Sequence, residues 1–301
     1  MAQDFLEENP EYLTTPWRNE MSISLESLVK TGQDKKPPII GLYGPQGVGK
    51  TTFGALGPNP IFLPTEDGTG KLEFARFPIS KTFGQFMDYL GILANDKHDY
   101  QTVVVDTLDW LEPLVWERLM ETTPTDKGKT ANRIEDYGFG KGFTQALTVW
   151  REYIEAITYL RDNRNMMVIQ IAHAKIKNYE DPENSAYDRY MMKLNDHASA
   201  LIQEHCDCVM FARQKTSTVS EDAGFNKERV RGITTGNRYL YTVEKAAFYA
   251  KNRYDFPTEI LFDKEGKFWA TLASHIPFYQ TVNADAPKTE PVQLKTAIKG
   301  K

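Results

Sequence analysis

The sequence predicts an α/β fold with a mostly parallel central sheet flanked by helices and a C-terminal β-hairpin extension. Three observations predict it. Between Pro38 and Ala212 short apolar runs alternate with amphipathic stretches, the pattern of strands buried on both faces and joined by covering helices. The first apolar run feeds directly into a glycine-rich octapeptide, Gly44–Thr51. After Ala212 the alternation gives way to short β segments separated by glycine turns.

The elements follow in order. Pro38–Tyr43 is an apolar run ending at a glycine turn and reads as a buried strand. Thr51–Leu56 opens a helix that Gly57-Pro58 must stop. Ile61–Leu63 is a second strand, and Thr82–Ala94 a helix with Phe83, Phe86, Leu90 and Leu93 at helical spacing. Val103–Val105 forms a third strand that delivers the carboxylate of Asp106 at its end. Leu108–Met120 and Phe143–Leu160 are amphipathic helices, Met166–Ala172 a fourth strand and Val209–Ala212 a fifth. Thr216–Val219, Tyr239–Val243, Ala247–Ala250 and Phe268–Leu272 read as the later β segments.

The 301 residues carry 36 Lys plus Arg against 41 Asp plus Glu, a formal charge of −5, with 41% hydrophobic and 12% aromatic residues. That length fits one large domain, or one with attachments. No apolar run approaches a membrane span, and an acidic N-terminus is unlike a signal peptide. With two Cys there is no disulfide framework, so a reducing cytoplasm is the expected setting. The net acidity argues against a free-standing, strongly basic DNA-binding module, so any basic surface must be local or created by assembly. Residues 1–22 carry −4 and residues 283–301 carry +2, leaving −3 on residues 23–282. The expected organisation is an acidic arm (1–22), a core (23–282) and a tail (283–301), because neither end has enough apolar spacing to pack alone.

Gly44-Pro45-Gln46-Gly47-Val48-Gly49-Lys50-Thr51 satisfies G-x-x-x-x-G-K-[ST] with a strand before and a helix after. Glycines let consecutive N–H groups turn inward around phosphate oxygens, and the helix N-terminus adds its positive dipole end. The segment through Thr52 is therefore read as a nucleoside triphosphate site, with Lys50 on the β and γ phosphates and the Thr51 hydroxyl on Mg²⁺. Asp106, at the C-terminal end of an apolar strand, is the natural partner of that Mg²⁺ and equally an N-cap for the helix beyond. Asp109 and Glu112 on that helix are weaker metal candidates. Glu66 also follows a buried strand. It fits a base that orients the attacking water, but Glu66-Asp67-Gly68 fits simple turn chemistry just as well.

The order of these motifs resembles the ATPase core of RecA-type recombinases, and most closely the short phage-encoded RecA-core proteins that act as single-strand annealing factors. The resemblance spans Ile39–Pro257 and rests on Gly44–Thr51, Phe62-Leu-Pro-Thr-Glu66, Thr102-Val-Val-Val-Asp106-Thr107, Val168–Lys177 and Tyr249-Ala-Lys251-Asn-Arg253-Tyr-Asp-Phe-Pro257. It implies a RecA-like P-loop core in which Glu66 is the catalytic glutamate. His173 would be the polar sensor after the fourth strand, where Gln is usual. Lys251 and Arg253 would be cations reaching the ATP of a neighbouring subunit, Arg253 standing where Lys is usual. On residue spacing alone those two cations share a strand face and are read rather as a solvated sheet edge, and His173 also fits a core histidine.

Two polar segments lie where the family places its DNA-binding loops. Thr122–Gly142 holds Lys127, Lys129, Arg133, Tyr137 and Phe139; Ala174–His197 holds Lys175, Lys177, Tyr179, Tyr187, Arg189, Tyr190 and Lys193. Cations interleaved with aromatics suit single strands, whose phosphates need neutralising and whose bases stack. Acids in both segments nearly cancel the charge, so solvated loops remain open. His205-Cys206-Asp207-Cys208 is poor zinc spacing and reads more naturally as buried strand thiols. The expectation is an ATP- and Mg²⁺-dependent, ssDNA-binding ATPase of recombination or annealing. It would self-associate into a ring or filament and work beside a single-stranded-DNA-binding protein or other recombination factor, away from membranes. The alternative is a P-loop NTPase that remodels or loads a protein partner without binding DNA.

Overall fold

The computed structural model describes residues 29, 31–32, 35–68, 73–222 and 228–280. The chain divides into two compact units, Met1–Asp34 and Lys35–Lys301, and the fold below is that of the second. The expected arm (1–22) and tail (283–301) lie outside the described residues.

The elements run β1 (Ile39–Gly44), α1 (Lys50–Ala55), β2 (Pro60–Pro64), β3 (Ala75–Arg76), α2 (Phe83–Asn95), β4 (Thr102–Asp106), α3 (Leu108–Thr122), a 3₁₀ turn (Ile134–Tyr137), α4 (Lys141–Arg164), β5 (Met167–Tyr179), β6 (Tyr187–Met192), α5 (Asp196–His205), β7 (Cys208–Asp222), β8 (Glu228–Tyr241), β9 (Lys251–Asn252), β10 (Glu259–Leu261) and α6 (Lys267–His275). The sheet order is β10-β8-β7-β1-β5-β4-β2-β3. From β7 to β3 every neighbour is parallel, while β8, β9 and β10 join antiparallel beyond β1. This is the mostly parallel, helix-flanked sheet that the sequence predicts.

Alternate residues of each central strand enter opposite layers, as the period of two requires. Ile39, Tyr43, Val103 and Val105 join Phe86, Leu111, Trp150 and Tyr153 of α2, α3 and α4 on one face. On the other, Ile40, Leu42 and Val104 join Phe53 of α1 and Phe268 and Leu272 of α6. Both faces are thus dry, which holds the C-terminal strand ends rigidly in line.

Two β expectations fail. Phe268–Leu272 is helical, within α6: Gly266 caps it in the left-handed conformation, and Phe268 and Leu272, four apart, bury on one face. Only isolated bridges occur in Ala247–Ala250. There the chain turns so that Phe248 fills the space between Phe211 and Tyr241, at ring centroid distances of 4.8 and 5.0 Å. In addition, β5 runs seven residues past the expected Ala172, pairing with β6 as a hairpin from Ala174↔Met192 to Tyr179↔Tyr187.

Candidate active site

Gly44 ends β1 in a position that admits no side chain, since a Cβ there would lie 2.3 Å from the Ala212 carbonyl oxygen. Gly47 and Gly49 adopt φ of 75° and 103°, values glycine reaches without steric cost. Gly49 is the N-cap of α1 and brings no side chain to its N–H groups, which leaves them for a ligand. Lys50 is buried, and its Nζ donates to the carbonyl oxygens of Gly44 and Pro45, each at 3.1 Å. Burial lowers its pKa, against the pull of Asp106, Asp109 and Glu66.

Parallel strands deliver the carboxylates to the same end. The Thr51 hydroxyl donates to Asp106 Oδ2 at 2.8 Å. Burial, helped by the nearby Glu66 charge, pushes Asp106 up to about 6, while the Thr51 hydrogen bond and Lys50 oppose the rise. Glu66 follows β2 and is half-buried. Thr65 ties the ends of β2 and β4 together: its N–H donates to the Asp106 carbonyl at 2.9 Å, and its hydroxyl bridges the N–H and carbonyl of Thr107 at 2.8 and 2.7 Å. Lys50, Thr51, Glu66 and Asp106 therefore form one cluster. A hydroxyl beside a carboxylate is a hard-oxygen donor pair that fits Mg²⁺, which keeps most of its waters.

His173 pairs in register with Gly44, so it stands beside the first residue of the phosphate loop. Its orientation comes from Asp109, a residue that sequence spacing marked only as a weak metal candidate. Asp109 Oδ1 accepts the His173 N–H at 2.9 Å, and Oδ2 lies 2.9 Å from Nδ1. Despite burial, these hydrogen bonds hold the Asp109 carboxyl below its ordinary value. One turn on, buried Glu112 accepts the Asn195 N–H through both oxygens, at 2.9 and 3.1 Å. Burial lifts Glu112 to about 7, opposed by that backbone bond and by Lys175. Asp109 and Glu112, three apart on α3, thus grip the two roots of the β5–β6 hairpin.

The remaining expected residues scatter. Lys251 Nζ donates to the carbonyls of Gln203, Glu204 and Cys206 at 3.0, 2.8 and 2.7 Å, capping α5. Arg253 Nη1 lies 3.4 Å from Asp207 Oδ1. Val209 pairs with Lys251, and Cys208 with both Asn252 and Ile40. The segment therefore lies about 13 Å along the strand from the phosphate-loop end, and neither cation joins this chain's cluster. Lys127, Lys129 and Arg133 are exposed. Lys175 donates to the Leu194 carbonyl, and Lys177 pairs with Asp196. Arg189 corrects its expectation as a DNA contact: it is buried, paired with Glu244, and lies over the Tyr179 ring, so its charge is spent inside the fold. Cys206 and Cys208 are buried, free thiols, and burial pushes Cys206 up to about 12. Among the described residues no group of three or more His, Cys, Asp or Glu could hold a metal ion.

One residue escaped the sequence reading and another was read only in passing. Arg238 on β8 touches the phosphate loop, donating to the Val48 carbonyl at 3.0 Å, and no local pattern marks it. Phe139 was legible only as one aromatic among several; it is fully exposed (104%) with φ of 48°, between Gly138 and Gly140 at 71° and 72°.

Among the described residues no helix is long and apolar enough to cross a membrane. The protein-family model described as "AAA domain" matches residues 36–254. A curated relative, the SPbeta prophage-derived uncharacterized protein YorG of Bacillus subtilis (strain 168), is 24% identical over 234 residues, 76% of this chain. The match spans 63% of that relative, less than two thirds of its length. Among solved structures, the RadB recombinase is 14% identical with a TM-score of 0.40, covering 78% of this chain and 91% of that one. With the family match over most of its length, and with the strand–phosphate loop–helix unit and parallel sheet described above, the chain belongs to the AAA domain family, with a P-loop on a mostly parallel sheet.

Proposed function

We propose that this protein is an ATP-dependent, single-stranded-DNA-binding ATPase acting in recombination or strand annealing, in the cytoplasm of a phage-carrying bacterium. The prophage origin of its relative supports the last point. One observation carries the reading: β5 runs unbroken from His173, level with the phosphate loop, into a hairpin whose roots are both held by α3, the helix after Asp106. A change at the nucleotide is thereby passed to a surface element through two packed carboxylates. Phe139 and the exposed Lys127, Lys129 and Arg133 supply a second candidate DNA surface. A non-glycine residue held at positive φ is strained, and here the strain presents a bare ring of the kind that stacks on a base.

Within the site, Lys50 and the loop N–H groups would bind the triphosphate, and Thr51 and Asp106 would hold Mg²⁺, which would supply neutralising charge for the phosphates. Glu66 takes the proton of the attacking water. Arg253, far from its own phosphate loop and exposed, acts on the nucleotide of a neighbouring subunit in a ring or filament; Lys251 positions it by fixing α5. A single-stranded-DNA-binding protein or other recombination factor is the expected protein partner.

The test is ATP hydrolysis with and without oligo(dT), for the wild type and for an equimolar mixture of Lys50→Ala and Arg253→Ala subunits. The proposal expects DNA-stimulated hydrolysis and partial recovery in the mixture. Hydrolysis indifferent to DNA but stimulated by a protein partner would favour a remodelling ATPase instead.

A further inference from the structure

Arg238 is 190 residues from Val48 in the chain, yet its Nη1 donates to the Val48 carbonyl at 3.0 Å. The guanidinium lies 5.3 Å from the Phe262 ring centre, and Phe262 packs edge-on against Phe53 of α1 at 6.1 Å. The arginine is therefore held on a shelf built from the same helix that the phosphate loop opens. Nη1 lies 2.6 Å from where a Cβ on Gly49 would be, so the guanidinium sits directly on the Val48–Gly49 peptide.

In a planar trans peptide the carbonyl of one residue and the N–H of the next point to opposite sides. Holding the Val48 carbonyl toward Arg238 aims the Gly49 N–H away from it. A charged donor on the carbonyl also polarises the peptide and strengthens that N–H as a donor. We propose that Arg238 is a positioning residue of the phosphate loop, fixing the Val48–Gly49 peptide so that the Gly49 N–H is pre-oriented for a phosphate of the nucleotide. Arg238 acts within its own subunit and through the backbone, unlike the role given to Arg253. The proposal rests on nucleotide binding at the phosphate loop, and needs neither DNA nor assembly.

The experiment titrates fluorescent ATP and ADP analogues against the wild type, Arg238→Ala, Arg238→Lys and Arg238→Met, with thermal midpoints taken alongside. A lost charge-assisted hydrogen bond predicts about tenfold weaker binding of both nucleotides in Arg238→Ala. Arg238→Met keeps the stem on Phe262 and should be as weak, which carries the test if the alanine variant fails to fold. Arg238→Lys keeps a donor and should recover most of the loss. Binding by Arg238→Met within about twofold of wild type, or no recovery by Arg238→Lys, overturns the proposal. A wild type that binds neither analogue overturns the nucleotide reading beneath it.

Discussion

Glu112 shows how much a single buried carboxylate constrains this site. Its pKa of about 7 stands above the ordinary 4.5 because burial penalises the charge. The folded state therefore holds the proton more tightly than the unfolded chain does. Its contribution to stability is full below about pH 4.5 and is lost as pH rises through about 7. Glu112→Gln keeps an acceptor for Asn195 and carries no charge. Thermal melts should find the variant level with the wild type near pH 4.5 and more stable by about 2 kcal/mol near pH 8. A lead that is flat with pH would show that Glu112 does not titrate in this range. The nearby Lys50, Thr51 and Asp106 were legible in the sequence because their chemistry is local: an eight-residue motif, and a strand that ends in an acid. The roles of Asp109, Glu112 and Arg238 were not, because each works through a partner distant in the chain, 64, 83 and 190 residues away.

At the scale of elements, apolar periodicity identified the central strands and the long helices, since both sheet faces are buried and each period is clean. It failed at α6, where Phe268, Trp269 and Leu272 form a short apolar cluster that fits either period until Gly266 is seen as a cap. It also missed the β5–β6 hairpin, whose charged residues read as loop. The segment joining α3 to α4 carries the most direct test of an element. Phe139 touches no core, and glycine there removes the strain of φ 48°. Phe139→Gly should raise stability by about 1 kcal/mol and weaken oligo(dT) binding several-fold. Unchanged DNA affinity in a stabilised variant would remove Phe139 from the proposed DNA surface.

For the whole molecule, the net charge of −5 bears on how DNA would bind under the proposed function. Residues 1–22 carry most of the excess, and the core is nearly neutral. Under the proposed function each subunit would offer only a few cations, and affinity would grow as subunits line up along a strand, steeply dependent on salt. The sequence resemblance implied a layout for the site; the fold suggests the proposed link, with one helix after the Asp106 strand holding both ends of the hairpin. Equilibrium binding of labelled oligo(dT) at low salt, with Mg²⁺ and with or without a non-hydrolysable ATP analogue, tests that link most directly. The account predicts cooperative binding that tightens at least about tenfold with the analogue and loses that gain in Lys50→Ala. Binding of equal strength in both nucleotide states, or none in either, would contradict it.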